Sequence, residues 1–161
     1  MRPRVGLAAV PLRGKRARGV TLIELLVALV LLAILAGLAI PSYRGYVLRA
    51  NRTEARAVLL ALATAQEKFH LMCGTYAADL DPGRASDCDG RSLRFPASSE
   101  RGYYTIAITA ADAAGWTASA LPDGAPQSED DACREFGLDG TGIKSAGDAA
   151  GRDSAAACWS R

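Results

Sequence analysis

Arg18-Gly19-Val20-Thr21-Leu22-Ile23-Glu24 joins a basic leader to an apolar run that ends at Ile40-Pro41, and one carboxylate lies inside that run. From Val20 to Ile40 there are 21 residues, and Glu24 is the only one with an ionisable side chain. An α-helix needs about 20 apolar residues to cross a hydrocarbon core of about 30 Å, so the segment reads as a membrane span. An acidic residue costs about 2.5–3.5 kcal/mol at the centre of such a span and less near an end, so Glu24 is expected to have a function and a partner.

Working outward, the leader carries Arg2, Arg4, Arg13, Lys15, Arg16 and Arg18 and no acid. Removing it takes Lys plus Arg from 19 to 13 against 17 Asp plus Glu, and the formal charge from +2 to −4. The remainder offers no bulk electrostatic case for nucleic-acid binding. Six basic residues before the span against Arg44, Arg49, Arg52 and Arg56 soon after it favour a cytoplasmic N-terminus. Cys73, Cys88, Cys133 and Cys158 all follow the span, as expected of a disulfide-tied domain in an oxidising compartment. A conventional secretory signal is cut after its apolar region, whereas the small residue here, Gly19, precedes it. A cut at Gly19 would leave the apolar segment as the new N-terminus.

Gly19-Val20-Thr21-Leu22-Ile23-Glu24-Leu25-Leu26, the apolar run and Pro41 together resemble the class III leader and N-terminal helix of type IV pilins. The resemblance implies that a prepilin peptidase cuts after Gly19 and methylates the amine of Val20. Glu24, fifth in the mature chain, would pair with the N-terminal amine of a neighbouring pilin subunit during assembly. Family members usually carry Phe where Val20 stands, and this leader is longer than most. Thr21 with Glu24 also forms a capping box, so satisfaction of helix N-terminal amides is the local alternative to an assembly role. Further on, Pro41-Ser42-Tyr43, Arg49 to Arg56, Tyr103 to Ile108, Gly115 to Ala118, Cys133 and Cys158-Trp159 are similar to PilE-type minor pilins.

Four stretches follow: a leader over 1–19, a transmembrane or filament-core helix over 20–40, an amphipathic continuation over 41–73 and a periplasmic head over 74–161. In the continuation Val47, Ala50, Ala57, Val58, Ala61, Leu62, Ala65, Phe69 and Met72 recur at spacings near three and four, with Arg49, Arg52, Arg56 and Lys68 elsewhere. At 1.5 Å per residue a helix from Val20 to Met72 would extend about 80 Å. Gly37 and Pro41 mark an expected kink. The Gly-, Asp-, Pro- and Ser-rich residues 74–100 read as a loop. Strands are expected over Tyr103–Thr109, Trp116–Leu121 and Phe136–Leu138 to Ile143-Lys144, with Asp139-Gly140-Thr141-Gly142 as a turn. The fold class is α+β, one long N-terminal helix packed on a small antiparallel sheet.

Four cysteines allow three pairings, and nearness in sequence favours Cys73 with Cys88 and Cys133 with Cys158; the second also matches the family. One pair staying reduced is the alternative. Asp79, Asp81, Asp87, Asp89 and Glu129-Asp130-Asp131 do not follow the spaced ligand loop of a calcium site and read as solvated loops. His70, the only histidine, reads as an interfacial or helix C-terminal group. With no second histidine, no Cys-x-x-Cys and no activated nucleophile, neither a metal nor a cofactor nor a catalytic role is expected.

The resemblance implies a minor pilin held by its helix in the inner membrane, then extracted by the inner-membrane assembly machinery into an extracellular pilus that supports twitching motility and adhesion. A type II secretion pseudopilin shares the leader and helix. A third reading is a pilus-associated binding subunit whose head captures DNA or a surface through Arg84, Arg91, Arg94 and Arg101.

Overall fold

A computed structural model of the chain describes residues 19–81 and 87–160. The leader arginines and lysine up to Arg18, together with Arg84, lie outside the described residues. The first element is helix α1, Leu22–Cys73, in which helical backbone runs through both Gly37 and Pro41. The chain divides into two compact units between Pro41 and Ser42.

In the first unit the apolar side chains from Leu22 to Ile40 are exposed, among them Leu22 at 84% and Leu38 at 73%. Among the described residues this is the one helix long and apolar enough to cross a membrane. Its start is set by Thr21, whose hydroxyl accepts the Glu24 N–H at 3.3 Å while its carbonyl accepts the Leu25 N–H at 3.1 Å. Thr21 is therefore the N-cap, satisfying one of the helix's unpaired amides.

In the second unit the packed stripe of α1 is Asn51, Ala55, Leu59, Leu62, Gln66 and Phe69. This corrects the expected face: Leu62 and Phe69 belong to it, but Ala50, Ala57, Ala61 and Met72 are exposed. Gln66 takes a core position because the head supplies partners for its amide. The Gln66 side chain donates to the Ala77 carbonyl and accepts the Ala77 N–H, both at 2.9 Å, with Gln66 fully buried. A buried polar group fully paired in this way costs little, whereas one left unpaired costs about 1–3 kcal/mol.

Strands β3 (Tyr104–Ala111), β4 (Trp116–Pro122), β5 (Glu135–Asp139) and β6 (Lys144–Gly147) form an antiparallel sheet in chain order. Tyr104 and Ile106 are buried, Ile108 is half-buried, and Thr105, Ala107 and Thr109 face out. The expected alternation holds as far as the bulge between Ile108 and Ala110. The inner face meets Leu59, Leu62 and Phe69 of α1 in one core, at whose centre the Tyr104 and Phe136 rings lie edge to face, 5.7 Å apart. This is the α+β architecture expected of the sequence.

Residues 74–100 are not a loop throughout. Strands β1 (Asp79–Leu80) and β2 (Ser92–Leu93) pair in parallel, Asp79 with Ser92 and Leu80 with Leu93. Two-residue strands leave no periodicity to read; they pair through backbone bonds, and the segment is further held in place by Arg91. Its guanidinium donates to the carbonyls of Tyr76, at 3.1 Å, and Ala111, at 2.6 Å, stitching the segment to β3. A short helix α2, Ala155–Trp159, ends the described chain and buries Cys158.

Candidate functional site

Three places in the molecule bring candidate functional residues together. At the helix start, Gly19, Val20 and Thr21 precede α1 and Glu24 occupies its third position. The Glu24 N–H is the one held by Thr21. Among the described residues nothing hydrogen-bonds the Glu24 carboxylate, so only one of the two capping-box bonds is formed. The side chain is exposed on the helix surface, beside the exposed Val20 and Ile23.

The second place is the polar belt that fastens α1 to the head. Arg52 and Asp130 make a two-pronged ion pair, Nε to Oδ2 and Nη2 to Oδ1, both 2.8 Å, with the side chains 12% and 2% exposed. Gln127 adds a bond to Asp130 Oδ2 at 3.2 Å and another to the Leu48 carbonyl. Asp130 is thus no part of a solvated acidic loop, because a guanidinium from the helix follows it inside. Arg44 reaches the neighbouring Glu129 at 2.7 Å on the exposed surface, a pair worth little.

On the other side of the helix Glu54 accepts the Arg101 backbone N–H at 2.7 Å and its Nε at 2.9 Å, and Arg101 reaches Asn51 Oδ1 at 3.1 Å. Burial pushes the Glu54 carboxyl up, but bonds from Ser99 and from the backbone and guanidinium of Arg101 outweigh it and hold the group below its ordinary value of 4.5. A carboxyl that binds protons less readily when folded stabilises the fold above the unfolded value and loses that contribution as pH falls through the folded one. Urea midpoints measured from pH 7 to 3 should therefore fall less steeply below pH 4.5 for Glu54→Gln than for the parent chain.

Cys73 bonds to Cys88 with Cα atoms 5.4 Å apart, and Cys133 to Cys158 with Cα atoms 5.8 Å apart. The first ties the end of α1 to the segment before β2. The second, completely buried, ties the turn before β5 to α2. His70 lies against Tyr76, with the rings stacked 4.3 Å apart.

The third place was not anticipated. A groove of about 820 Å3 runs along the outward side of α1, lined by Tyr46, Arg49, Thr53, Arg56 and Leu60 and closed by Lys144 and Trp159. It holds three cations, two aromatic rings and no acid. Arg56 is anchored by the Trp159 and Ser160 carbonyls, and the Lys144 ammonium sits 5.3 Å from the centre of the Trp159 ring. The helical residues repeat at three- and four-residue spacing and could have been found that way; Lys144 and Trp159 come from distant sequence. By contrast, Arg91 and Arg101 are committed to carbonyls and to Glu54, and Arg94 is engaged as well. They do not form an open cationic set.

The described chain thus has an exposed apolar helical segment with a lone carboxylate in its first turn, and a head tied by two disulfides. Comparison with known proteins gives the family. Residues 14–40 match the prokaryotic N-terminal methylation motif. Residues 41–137, more than half of the chain, match the family described as type IV minor pilin ComP, DNA uptake sequence receptor. The chain belongs to this family of type IV pilins.

Among individual relatives it is 33% identical over 107 residues to the type IV major pilin protein PilA of Myxococcus xanthus, covering 66% of this chain and 44% of that one. It is 32% identical over 95 residues to the type IV major pilin protein PilE1 of Neisseria gonorrhoeae, covering 59% and 40%. It is 32% identical over 90 residues to prepilin peptidase-dependent protein D of Escherichia coli K12, covering 56% of each. The chain thus spans about half the length of the relatives it matches.

Proposed function

We propose that the protein is a structural, non-enzymatic minor subunit of a type IV pilus. Prepilin peptidase cuts between Gly19 and Val20 and methylates the Val20 amine. The mature subunit waits in the inner membrane with its head in the periplasm, and the assembly machinery draws it into the fibre among other pilins, where it serves twitching and adhesion. Helical backbone at Gly37 and Pro41, with a missing amide donor at the proline, gives the helix a place to bend as it packs. The observation that carries the reading is the Glu24 carboxylate, held in the first turn of the helix with no bonding partner among the described residues. An uncompensated charge in an apolar segment calls for a counter-ion, and the cut supplies one in the amine of a neighbour's Val20.

The test is complementation of a deletion strain with wild type or Glu24→Ala, scoring processing, surface pili and twitching. The variant should be cut normally at Gly19 yet enter pili several-fold less well. Full rescue would sink the assembly role and leave Thr21 and Glu24 as a helix cap.

A second reading is favoured by the groove of Arg49, Arg56, Lys144, Tyr46 and Trp159, since cations interleaved with aromatic rings suit a nucleic-acid strand, and the matched family is described as a DNA uptake sequence receptor. In that reading the pilus subunit also binds DNA. Fluorescence anisotropy with a labelled oligonucleotide should show salt-dependent binding that weakens at least tenfold in Arg49→Glu/Lys144→Glu. Equal binding by the double variant would exclude the groove.

A further inference from the structure

Helix α1 begins one residue after Thr21, and the peptide bond between Gly19 and Val20 lies just ahead of it. Gly19, Val20 and Thr21 are outside the helix and exposed, Val20 at 70%. A Cβ built on Gly19 would meet nothing within 4 Å. Space is therefore open around the residue that carries the carbonyl of that bond.

Thr21 stops the helix short of it. In an α-helix each N–H donates to the carbonyl four residues back. A helix started earlier would take the Glu24 N–H to the Val20 carbonyl and the Ile23 N–H to the Gly19 carbonyl. Instead Thr21 Oγ1 accepts the Glu24 N–H at 3.3 Å, and the Thr21 carbonyl accepts the Leu25 N–H at 3.1 Å. Among the described residues no N–H is bonded to the Gly19 or Val20 carbonyl. The hydroxyl thus intercepts the N–H that would otherwise draw Val20 into the helix. Val20, Leu22 and Ile23 have no side-chain acceptor to replace it, and at the edge of a hydrocarbon core water is a scarce substitute.

The position of the helix start bears on the cut. Hydrolysis adds one water across the peptide: its hydroxyl joins the Gly19 carbonyl carbon, the bond to the Val20 nitrogen breaks, and the proton goes to that nitrogen. In the transition state the Gly19 carbonyl oxygen gathers negative charge and needs donors from the enzyme that cuts it. A carbonyl already bonded inside a helical turn cannot offer its oxygen to those donors until the turn opens.

We infer that Thr21 is a positioning residue for processing: by capping α1 it holds the Gly19–Val20 peptide outside the helix, in the open form a prepilin peptidase has to bind. Thr21 itself touches none of the reacting atoms. The inference rests on the reading that the chain is cut at Gly19 and goes beyond it, since that reading asks nothing of the Thr21 hydroxyl. It is also independent of assembly, because it uses the backbone N–H of Glu24 and not its carboxylate.

The experiment uses the full precursor in dodecyl maltoside micelles and membranes that contain a prepilin peptidase, with release of residues 1–19 followed by mass spectrometry. Thr21→Val keeps the branched shape and removes the hydroxyl, whereas Thr21→Ser and Thr21→Asn keep a capping oxygen. Only precursor with an open scissile peptide can dock, so loss of the cap should appear in KM and leave kcat unchanged. KM is expected to rise by up to about fivefold in Thr21→Val, the population change a typical cap produces, and to stay within about twofold of the parent value in the other two. Carbon-13 shifts of Gly19 and Val20 should move towards helical values in Thr21→Val alone. The parent KM in Thr21→Val, unchanged shifts there, or slow cutting of Thr21→Ser and Thr21→Asn beside normal cutting of Thr21→Val would each overturn the inference. A parent chain left uncut at Gly19 would instead overturn the processing reading on which the inference rests.

Discussion

Asp130→Ala is expected to destabilise the head by about 3–5 kcal/mol, the usual cost of removing one member of a buried ion pair. Asp130 is 2% exposed and receives both prongs of the Arg52 guanidinium as well as the Gln127 amide. Truncating it leaves a cation with 12% exposure and no counter-charge. Most of the loss comes from that stranded cation rather than from the attraction itself, since ion pairs taken out of water gain little net energy. Arg52→Met/Asp130→Leu should accordingly be less damaged than Asp130→Ala alone. Urea denaturation of all three proteins in the same detergent checks this ordering; a double variant at least as unstable as the single one would show that the pair stabilises on its own account.

Loss of the second disulfide should be of similar size. Cys133 and Cys158 are 25 residues apart, and the loop-entropy relation gives about 3.5 kcal/mol for closing a loop of that length in the unfolded chain, against about 3 for the 15 residues between Cys73 and Cys88. The two sites differ more in surroundings than in loop length. Cys133 and Cys158 are 0% and 1% exposed, whereas Cys88 is exposed. Cys133→Ala/Cys158→Ala therefore adds lost packing to lost cross-linking and should release α2, whose Trp159 packs on Phe136. Comparing urea midpoints of the two double variants, with Trp159 fluorescence following the C-terminal helix, checks both parts. Equal midpoints would mean that burial at the second bridge contributes nothing.

Much of the architecture could be read from the residues because its signals are strong and local. Leu22 to Ile40 is apolar without a break, and Tyr104, Ile106 and Ile108 alternate cleanly with small or polar neighbours. The side of α1 that packs was harder, because Ala50, Ala55, Ala57, Ala61, Ala63 and Ala65 put alanine nearly all round the helix and erase the contrast that periodicity needs. Asn51 and Gln66 are polar residues that no apolar periodicity marks as core, and each lies inside with partners supplied from far along the chain. Strands β1 and β2 are too short to alternate. At the candidate sites, Thr21 and Glu24 stand out within a few residues of sequence. The Arg49 groove is assembled from segments more than 80 residues apart, so only the folded chain brings them together.

The pair of bonds between Gln66 and Ala77 bears on more than the core. Successive residues of an α-helix point about 100° apart, so turning α1 by a single position would carry the Gln66 amide away from both backbone groups it satisfies. Those bonds act as a key that admits one angular setting of the helix. That setting aims Tyr46, Arg49, Thr53 and Leu60 outward, so an amide sealed inside the head selects which side chains any neighbouring molecule encounters.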